Sequence, residues 1–447
     1  MAEGTTPIMS MAADDQFADI KPALDRKRAL VESSRCYFCH DAPCVEACPT
    51  GIDIPNFIRM ISTDNVRGAA VKIFEQNILG GMCARVCPTE ILCEQACVRN
   101  HSEDKPVSIG ALQRYATDQF MAREPQPFSR ASASGKRVAV VGAGPAGLSC
   151  AHRLAMLGHD VALFEARPKL GGLNEYGIAA YKTVDNFAQR EVDFILGIGG
   201  ITPHVGRMLG RDFTLTQIRR DHDAVFLAVG LAGVKALGLE GENWQGVMDA
   251  VAFIAELRQA PDKARLAIGR SVVVIGGGNT AIDIAVQSKR LGARDVTLVY
   301  RRGAEHMSAT GHEQEFARLN GVTVKLWAQP KRLLGEGGRV TGIEFEYTEL
   351  DEQGRLLGTG DTFTLVADQI FKAIGQQLVP DPLHAEAQEI LAVAHGKLAV
   401  NENGETSLRG VFAGGDCTAQ GQDLTVQAVE EGKRAAQAID AYLRGEK

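Results

Sequence analysis

The chain has 447 residues, 45% hydrophobic and 23% charged, a globular composition with room for about three domains. Its formal charge of −7 provides no basic surface to recruit nucleic acid or anionic lipid. No apolar run approaches the roughly 18 residues of a membrane helix, and MAEGTTPIMSMAADDQ lacks the basic start and apolar stretch of a signal peptide. A cytoplasmic protein that binds no membrane is therefore expected.

Residues 1–125 read as helical and hold eight of the ten cysteines, all between Cys36 and Cys97. In a reducing compartment such a cluster points to metal rather than to disulfides. The spacing is C-x2-C-x4-C-x3-C-P through Cys36, Cys39, Cys44 and Cys48, then C-x3-C-P through Cys83 and Cys87, then Cys93 and Cys97. Thiolates suit zinc or iron–sulfur clusters, and the two Cys-Pro steps echo bacterial ferredoxin runs. Eight cysteines match the eight ligands of two [4Fe-4S] clusters. Zinc would hold a fold but carry no electron. Spacing leaves open which cysteine serves which cluster.

REPQPFSRASASGK, residues 123–136, is rich in proline, serine and small residues, and a linker is expected over 126–136. KRVAVVGAGPAGLSCAHRLAMLGHDVALFEA then reads as strand, glycine turn, helix and strand. Gly142, Gly144 and Gly147 form G-x-G-x-x-G, with Ala143, Pro145 and Ala146 between them, and Glu165 ends the second strand. The first glycine permits the tight turn, the second admits a pyrophosphate, and the third lets helix pack on strand. The helix N-terminus faces the phosphates, and the acidic residue suits a ribose diol. Gly171 and Gly172 follow, and a late AGGD segment ends in Asp416, which together indicate FAD. Asp416 would hold the ribityl or phosphate end. The helix starting near Thr425 would aim its positive end at the flavin pyrimidine edge.

The same grammar returns in RSVVVIGGGNTAIDIAVQSKRLGARDVTLVYRR, with Gly276, Gly277, Gly278, Asn279 and Thr280 in the turn and Ala281 in the third glycine's place. Tyr300 occupies the position of Glu165 and is followed by Arg301 and Arg302. Two arginines there favour a 2′-phosphate, and hence NADPH. The expected domains are an iron–sulfur domain over 1–125, FAD binding over 137–250 and 375–447, and NAD(P)H binding over 251–374. The fold class is α/β: a helical double [4Fe-4S] domain, then two Rossmann-like doubly wound domains, the second inserted in the first.

The segments CPTGIDIPNFIRMIS, GAAVKIFEQNILGGMCARVCPTEILCEQAC and SIGALQRYA resemble the iron–sulfur domain of dihydropyrimidine dehydrogenases, and the remainder resembles the FAD and NAD(P)H domains of the same enzymes. The length is similar to that of the separate small subunit in bacteria, and the glutamate synthase small subunit shares the architecture. The resemblance implies one cluster on Cys36, Cys39, Cys44 and Cys97. It implies a second on Cys48, Cys87, Cys93 and Gln113, with Cys83 spare. Glutamate synthase small subunits tend to carry Glu at the Gln113 position and to lack Cys83, which favours the pyrimidine enzyme. The implied flavin contacts run from Gly142 to Ala146 and from Glu165 to Leu173, with Lys182, Asp416 and Thr425. The nicotinamide contacts fall on Gly277 to Thr280, Arg301 and Arg302. Two departures stand out. Ile178-Ala179-Ala180-Tyr181-Lys182 lacks the family's proline, and Ser308 replaces a basic residue of the NADPH-using relatives. Two-subunit bacterial relatives generally use NADH, so the nicotinamide stays open between NADH and NADPH.

The implied activity is that of a CH–CH oxidoreductase. NAD(P)H passes hydride to FAD, and the clusters take the electrons onward singly. No side chain stands out as a general acid or base. Within the 447 residues no segment reads as an FMN barrel, so an FMN and iron–sulfur catalytic partner is expected in a hetero-oligomer. That partner would interconvert uracil or thymine and the 5,6-dihydropyrimidines. The rival expectations are a glutamate synthase small subunit, a stand-alone NAD(P)H–acceptor oxidoreductase and a zinc-stapled scaffold.

Overall fold

A computed structural model of the protein describes residues 16–384 and 391–445, which divide into two compact units. One comprises 21–178, 185–235 and the described residues from 375 onward. The other comprises 16–20, 179–184 and 236–374.

In the first unit the cysteine-bearing stretch folds as the helices Arg26–Ser33, Ile54–Ser62, Val66–Gln76, Gly80–Val86 and Ile109–Met121, with shorter turns between them. Ile54–Ser62 shows why. The Asp53 carboxylate caps it by accepting from the Asn56 N–H, Pro55 presets the first turn, and Ile54, Phe57, Ile58 and Ile61 bury one face at helical spacing. The flavin half is a five-stranded parallel sheet in the order Val411–Ala413, Ala224–Leu227, Arg137–Val141, Asp160–Glu165, Ile201–Val205. Its central strands are buried apolar runs, as a sheet covered on both faces requires.

The second unit has its own five-stranded parallel sheet, ordered Val247–Asp249, Gln369–Lys372, Ser271–Ile275, Asp295–Val299, Thr323–Lys325. Beside it lies an antiparallel three-stranded sheet of Ala328–Glu336, Arg339–Leu350 and Leu356–Val366. The α/β class and the insertion of one dinucleotide fold in the other hold.

The boundaries differ from the sequence expectation. The units part at 235/236 rather than 250/251, because Val247–Asp249 pairs with Gln369–Lys372 as the edge of the nicotinamide sheet. The iron–sulfur and flavin domains, separate in the sequence, form one unit. Arg153 donates to the Glu75 carbonyl at 2.8 Å, and the Lys433 ammonium donates to the carbonyls of Thr50 and Gln76. The segment 126–136 forms no helix or strand, but it is fastened to the flavin domain. Ala131 N–H donates to Met156 O, Ser134 N–H to Gly158 O, and Arg130 to the carbonyls of Gly158 and His159. No helix among the described residues is long and apolar enough to cross a membrane.

Candidate functional site

The first glycine turn joins the strand Arg137–Val141 to the helix Pro145–Met156. Gly142 has φ of +101°, and a Cβ there would stand 2.2 Å from the Ala228 carbonyl oxygen. A Cβ on Gly147 would stand 1.9 Å from the Gly142 oxygen. Both glycines are therefore required by backbone alone. Gly144 differs: nothing but Gly172 Cα, at 3.8 Å, faces the place of its Cβ, and no side chain caps the helix it begins. An open cradle over uncapped N–H groups fits a dinucleotide pyrophosphate.

The flavin candidates other than Lys182 gather on this turn. The Glu165 carboxylate accepts from the Ala143 N–H at 3.0 Å and the Arg167 N–H at 2.9 Å, which fixes its orientation while each oxygen keeps a second lone pair for a ribose hydroxyl. Gly171 N–H donates to the Ala143 carbonyl, and Leu173 opens the next short helix after Gly172. Thr425, first residue of the helix Thr425–Arg444, donates its hydroxyl to Asn174 at 3.2 Å. Gly415 lies against Ala146, and a Cβ on Gly432 would stand 2.1 Å from the Ala146 oxygen, so the segment bearing Asp416 and the closing helix both reach the start of the flavin helix. Burial, with the Asp423 charge next, pushes the Asp416 carboxyl up to about 6.

In the other unit Gly276, with φ of +146°, repeats the role of Gly142: a Cβ would stand 2.2 Å from the Ala373 oxygen. Gly277 lies under the Tyr300 ring, and Gly278 begins the helix Asn279–Arg290, again without a side-chain cap, so Asn279 and Thr280 form its open first turn. Ser308 Oγ is 3.1 Å from the place of a Gly278 Cβ. Arg301 is exposed, and the buried Arg302 Nε has no hydrogen-bond partner among the described residues. The unpartnered Arg302 Nε and the uncapped helix start are each groups that an anionic part of a nicotinamide dinucleotide would satisfy.

Lys182 belongs to this second unit. Its ammonium stands 2.8 Å from both Asp283 and Glu313, buried among them, and the Tyr181 hydroxyl donates to Asp283 at 3.2 Å. The sequence expectation of a flavin contact did not foresee this ion-paired setting.

The cysteines fall into two groups. Cys36, Cys39, Cys44 and Cys97 line one cavity, walled by Tyr37, Pro43, Ile54 and Ile58. Cys97 joins a set otherwise drawn from the short stretch between Cys36 and Cys44. In the second group Cys87 faces Cys83, Cys93 and Cys48, and a hydrogen bond with the Cys83 thiol, together with burial, holds its own thiol well above the usual range. Burial likewise lifts Cys44 to about 12. Burial favours the neutral thiol at Cys44 and Cys87, and the positive charge of a metal centre would compensate for the desolvation of their thiolates. Soft sulfur donors in two groups fit iron–sulfur ligation. Gln113 is buried and donates its amide N–H to the Gly80 carbonyl at 2.7 Å, at the start of the helix that carries Cys83 and Cys87.

The sequence pattern gave no hint of Glu191. From the helix Phe187–Leu196 its buried carboxylate accepts from the Met82 N–H at 2.9 Å, at the N-terminus of the same cysteine-bearing helix. Burial pushes it up to about 8. One turn further along that helix Arg85 stacks on Phe187 at 3.4 Å and holds Asp118 through two 2.9 Å bonds. No local motif announces such long-range partners.

The family described as dihydropyrimidine dehydrogenase domain II, 4Fe-4S cluster, matches residues 13–125, and that described as pyridine nucleotide-disulphide oxidoreductase matches residues 136–432. The NAD-dependent dihydropyrimidine dehydrogenase subunit PreT of Salmonella typhimurium is 34% identical, the alignment covering 97% of this chain and 98% of that protein. The NADPH glutamate synthase small chain of Escherichia coli is also 34% identical, covering 96% of this chain and 94% of that protein. Among solved structures, Mycobacterium tuberculosis FprA in complex with NADPH superposes with a TM-score of 0.58 at 19% identity, covering 69% of this chain and 85% of that one. The last likeness concerns the fold alone.

Proposed function

Because the chain belongs to the pyridine nucleotide-disulphide oxidoreductases and carries a dihydropyrimidine dehydrogenase 4Fe-4S domain at its amino end, we propose that it is the electron-input subunit of a dihydropyrimidine dehydrogenase. It is an oxidoreductase of FAD, NAD(P)H and iron–sulfur type, and in this reading it serves an FMN-containing partner that interconverts uracil or thymine and the 5,6-dihydropyrimidines. When bound, FAD accepts hydride from NAD(P)H, and [4Fe-4S] clusters carry its electrons away one at a time.

The chain's own residues bind and orient. The uncapped helix behind Gly142–Gly147 holds the flavin pyrophosphate, Glu165 the ribose, and Asp416 and Thr425 the opposite side of the same turn. The turn Gly276–Gly278 with Asn279 and Thr280 holds the nicotinamide dinucleotide, and Arg301 and Arg302 meet its ribose end. Cys36, Cys39, Cys44 and Cys97 hold one cluster. Cys48, Cys87, Cys93 and the Gln113 carbonyl oxygen hold the other, the Gln113–Gly80 hydrogen bond orienting the amide. The observation that carries this reading is the single cavity shared by Cys36, Cys39, Cys44 and Cys97 in a unit that also contains the flavin fold.

A second reading, the small chain of a glutamate synthase, is supported by its equal 34% identity. Gln113 and Cys83 weigh against it. The deciding experiment co-expresses the chain with each kind of partner under anaerobic conditions. NAD(P)H-dependent reduction of uracil is the expected result. Glutamate formation from glutamine and 2-oxoglutarate, with no uracil reduction, would replace it.

A further inference from the structure

We propose that Thr50 is a positioning residue that tunes the cluster ligated by Cys48: its hydroxyl donates a hydrogen bond to the Cys48 sulfur and raises the potential at which that cluster takes up an electron. The inference rests on the reading in which Cys48 ligates a [4Fe-4S] cluster.

The geometry begins in a tight turn. Gly51 N–H donates to the Cys48 carbonyl at 2.9 Å, with Pro49 in the second position and Gly51, at φ of +64°, in the fourth. The turn folds Thr50 back on the cysteine two residues before it, and Thr50 Oγ1 stands 3.3 Å from Cys48 Sγ. Beside a thiol, either atom could donate. An iron-bound thiolate has no proton, so the hydroxyl is then the donor. Thr50 is 2% exposed, and water does not compete for the bond.

The turn is also held from the flavin side. From the helix Thr425–Arg444 the Lys433 ammonium donates to the Thr50 carbonyl at 3.2 Å, and to the Gln76 carbonyl and side-chain oxygen at 3.3 and 3.0 Å. Glu430 balances that charge at 2.7 Å, so the pair anchors the turn without adding net charge. Lys433 lies about two turns along from Thr425. The helix that starts beside the flavin turn therefore fixes the Cys48 turn as well. The other cysteine set is arranged differently. There the Phe38 N–H donates to the Cys36 sulfur at 3.4 Å, a backbone bond that no side-chain change at that residue removes.

A donor on a ligating sulfur draws negative charge from it and so favours the state with one more electron. The O–H bond stays intact, and the proton remains on Thr50.

The test uses the full chain, purified without air and loaded with FAD and clusters. Iron and acid-labile sulfide are counted, and the cluster signals are followed by electron paramagnetic resonance through a reductive titration. Thr50→Val, which keeps the shape without the donor, is expected to retain the wild-type iron and sulfide and to shift one cluster's midpoint to lower potential. The other cluster's midpoint is expected to stay in place. Thr50→Ser, which restores a hydroxyl, is expected to titrate close to the wild type. Unmoved midpoints in Thr50→Val would overturn the proposal, and so would an equal shift in Thr50→Ser. If Thr50→Val fails to accumulate, Thr50→Ala is read in the same titration, and loss of iron in both would overturn the proposal by making the hydroxyl a requirement for assembly. Failure of the underlying reading has its own signature: Cys48→Ser would leave the iron count and both cluster signals unaltered.

Discussion

The two dinucleotide turns place the same demand on their first glycine and diverge afterwards. Gly142 and Gly276 each leave 2.2 Å between a would-be Cβ and the carbonyl of a neighbouring strand's exit, so both turns are closed by backbone in the same way. At the third position the flavin turn has Gly147, pressed on the Gly142 oxygen, whereas the nicotinamide turn accommodates Ala281. At the end of the second strand one has a carboxylate tied to two backbone N–H groups, and the other an aromatic ring followed by two arginines. In the proposed function the shared motif sets where a pyrophosphate sits, and the unshared positions set which dinucleotide it belongs to.

The sharpest way to break the comparison is Gly147→Ala. The methyl has no space beside the Gly142 oxygen, so the variant is expected to lose its FAD entirely, read as the flavin-to-protein absorbance ratio. Ala281→Gly should leave nicotinamide use within about twofold, since it only relaxes a helix start.

The units also differ in how they hold buried charge. Lys182 is balanced by Asp283 and Glu313, so Lys182→Met strands two buried carboxylates and should cost about 3–5 kcal/mol in chemical denaturation. Glu191 has only backbone N–H donors and the more distant Arg85. Its carboxyl is raised in the fold, so the folded chain holds a proton that the unfolded chain gives up. Its penalty is absent below the ordinary glutamate range, grows as pH climbs, and is complete above about pH 8. Glu191→Gln should flatten that slope and gain a few kcal/mol at pH 9 over the wild type, as measured by denaturation midpoints across pH.

Arg302→Ala tests the nicotinamide end of the comparison. Removing its charge-assisted bonds should lower the ratio of kcat/KM for NADPH to that for NADH by roughly tenfold, in steady-state assays with an artificial acceptor. Tyr300→Glu should move the same ratio in the same direction, by repelling a 2′-phosphate.

Both glycine turns, the α/β class and the insertion of one dinucleotide fold in the other were legible from the chain alone. A tight turn, a helix start and a buried strand are local demands, satisfied by residues within a few positions of one another. Spacing marked the cysteines as candidate metal ligands but left their grouping open, and only the family resemblance implied it. Only the packing of separate helices brings Cys97 to Cys36, Cys39 and Cys44. The same holds for Lys182 between Asp283 and Glu313, for Glu191 on the Met82 N–H, and for the 126–136 segment fastened to the end of the helix Pro145–Met156 and the turn after it. Short-range sterics write themselves into sequence spacing. A hydrogen bond or ion pair between residues a hundred positions apart leaves no period to read, and exists only once the chain has closed around it.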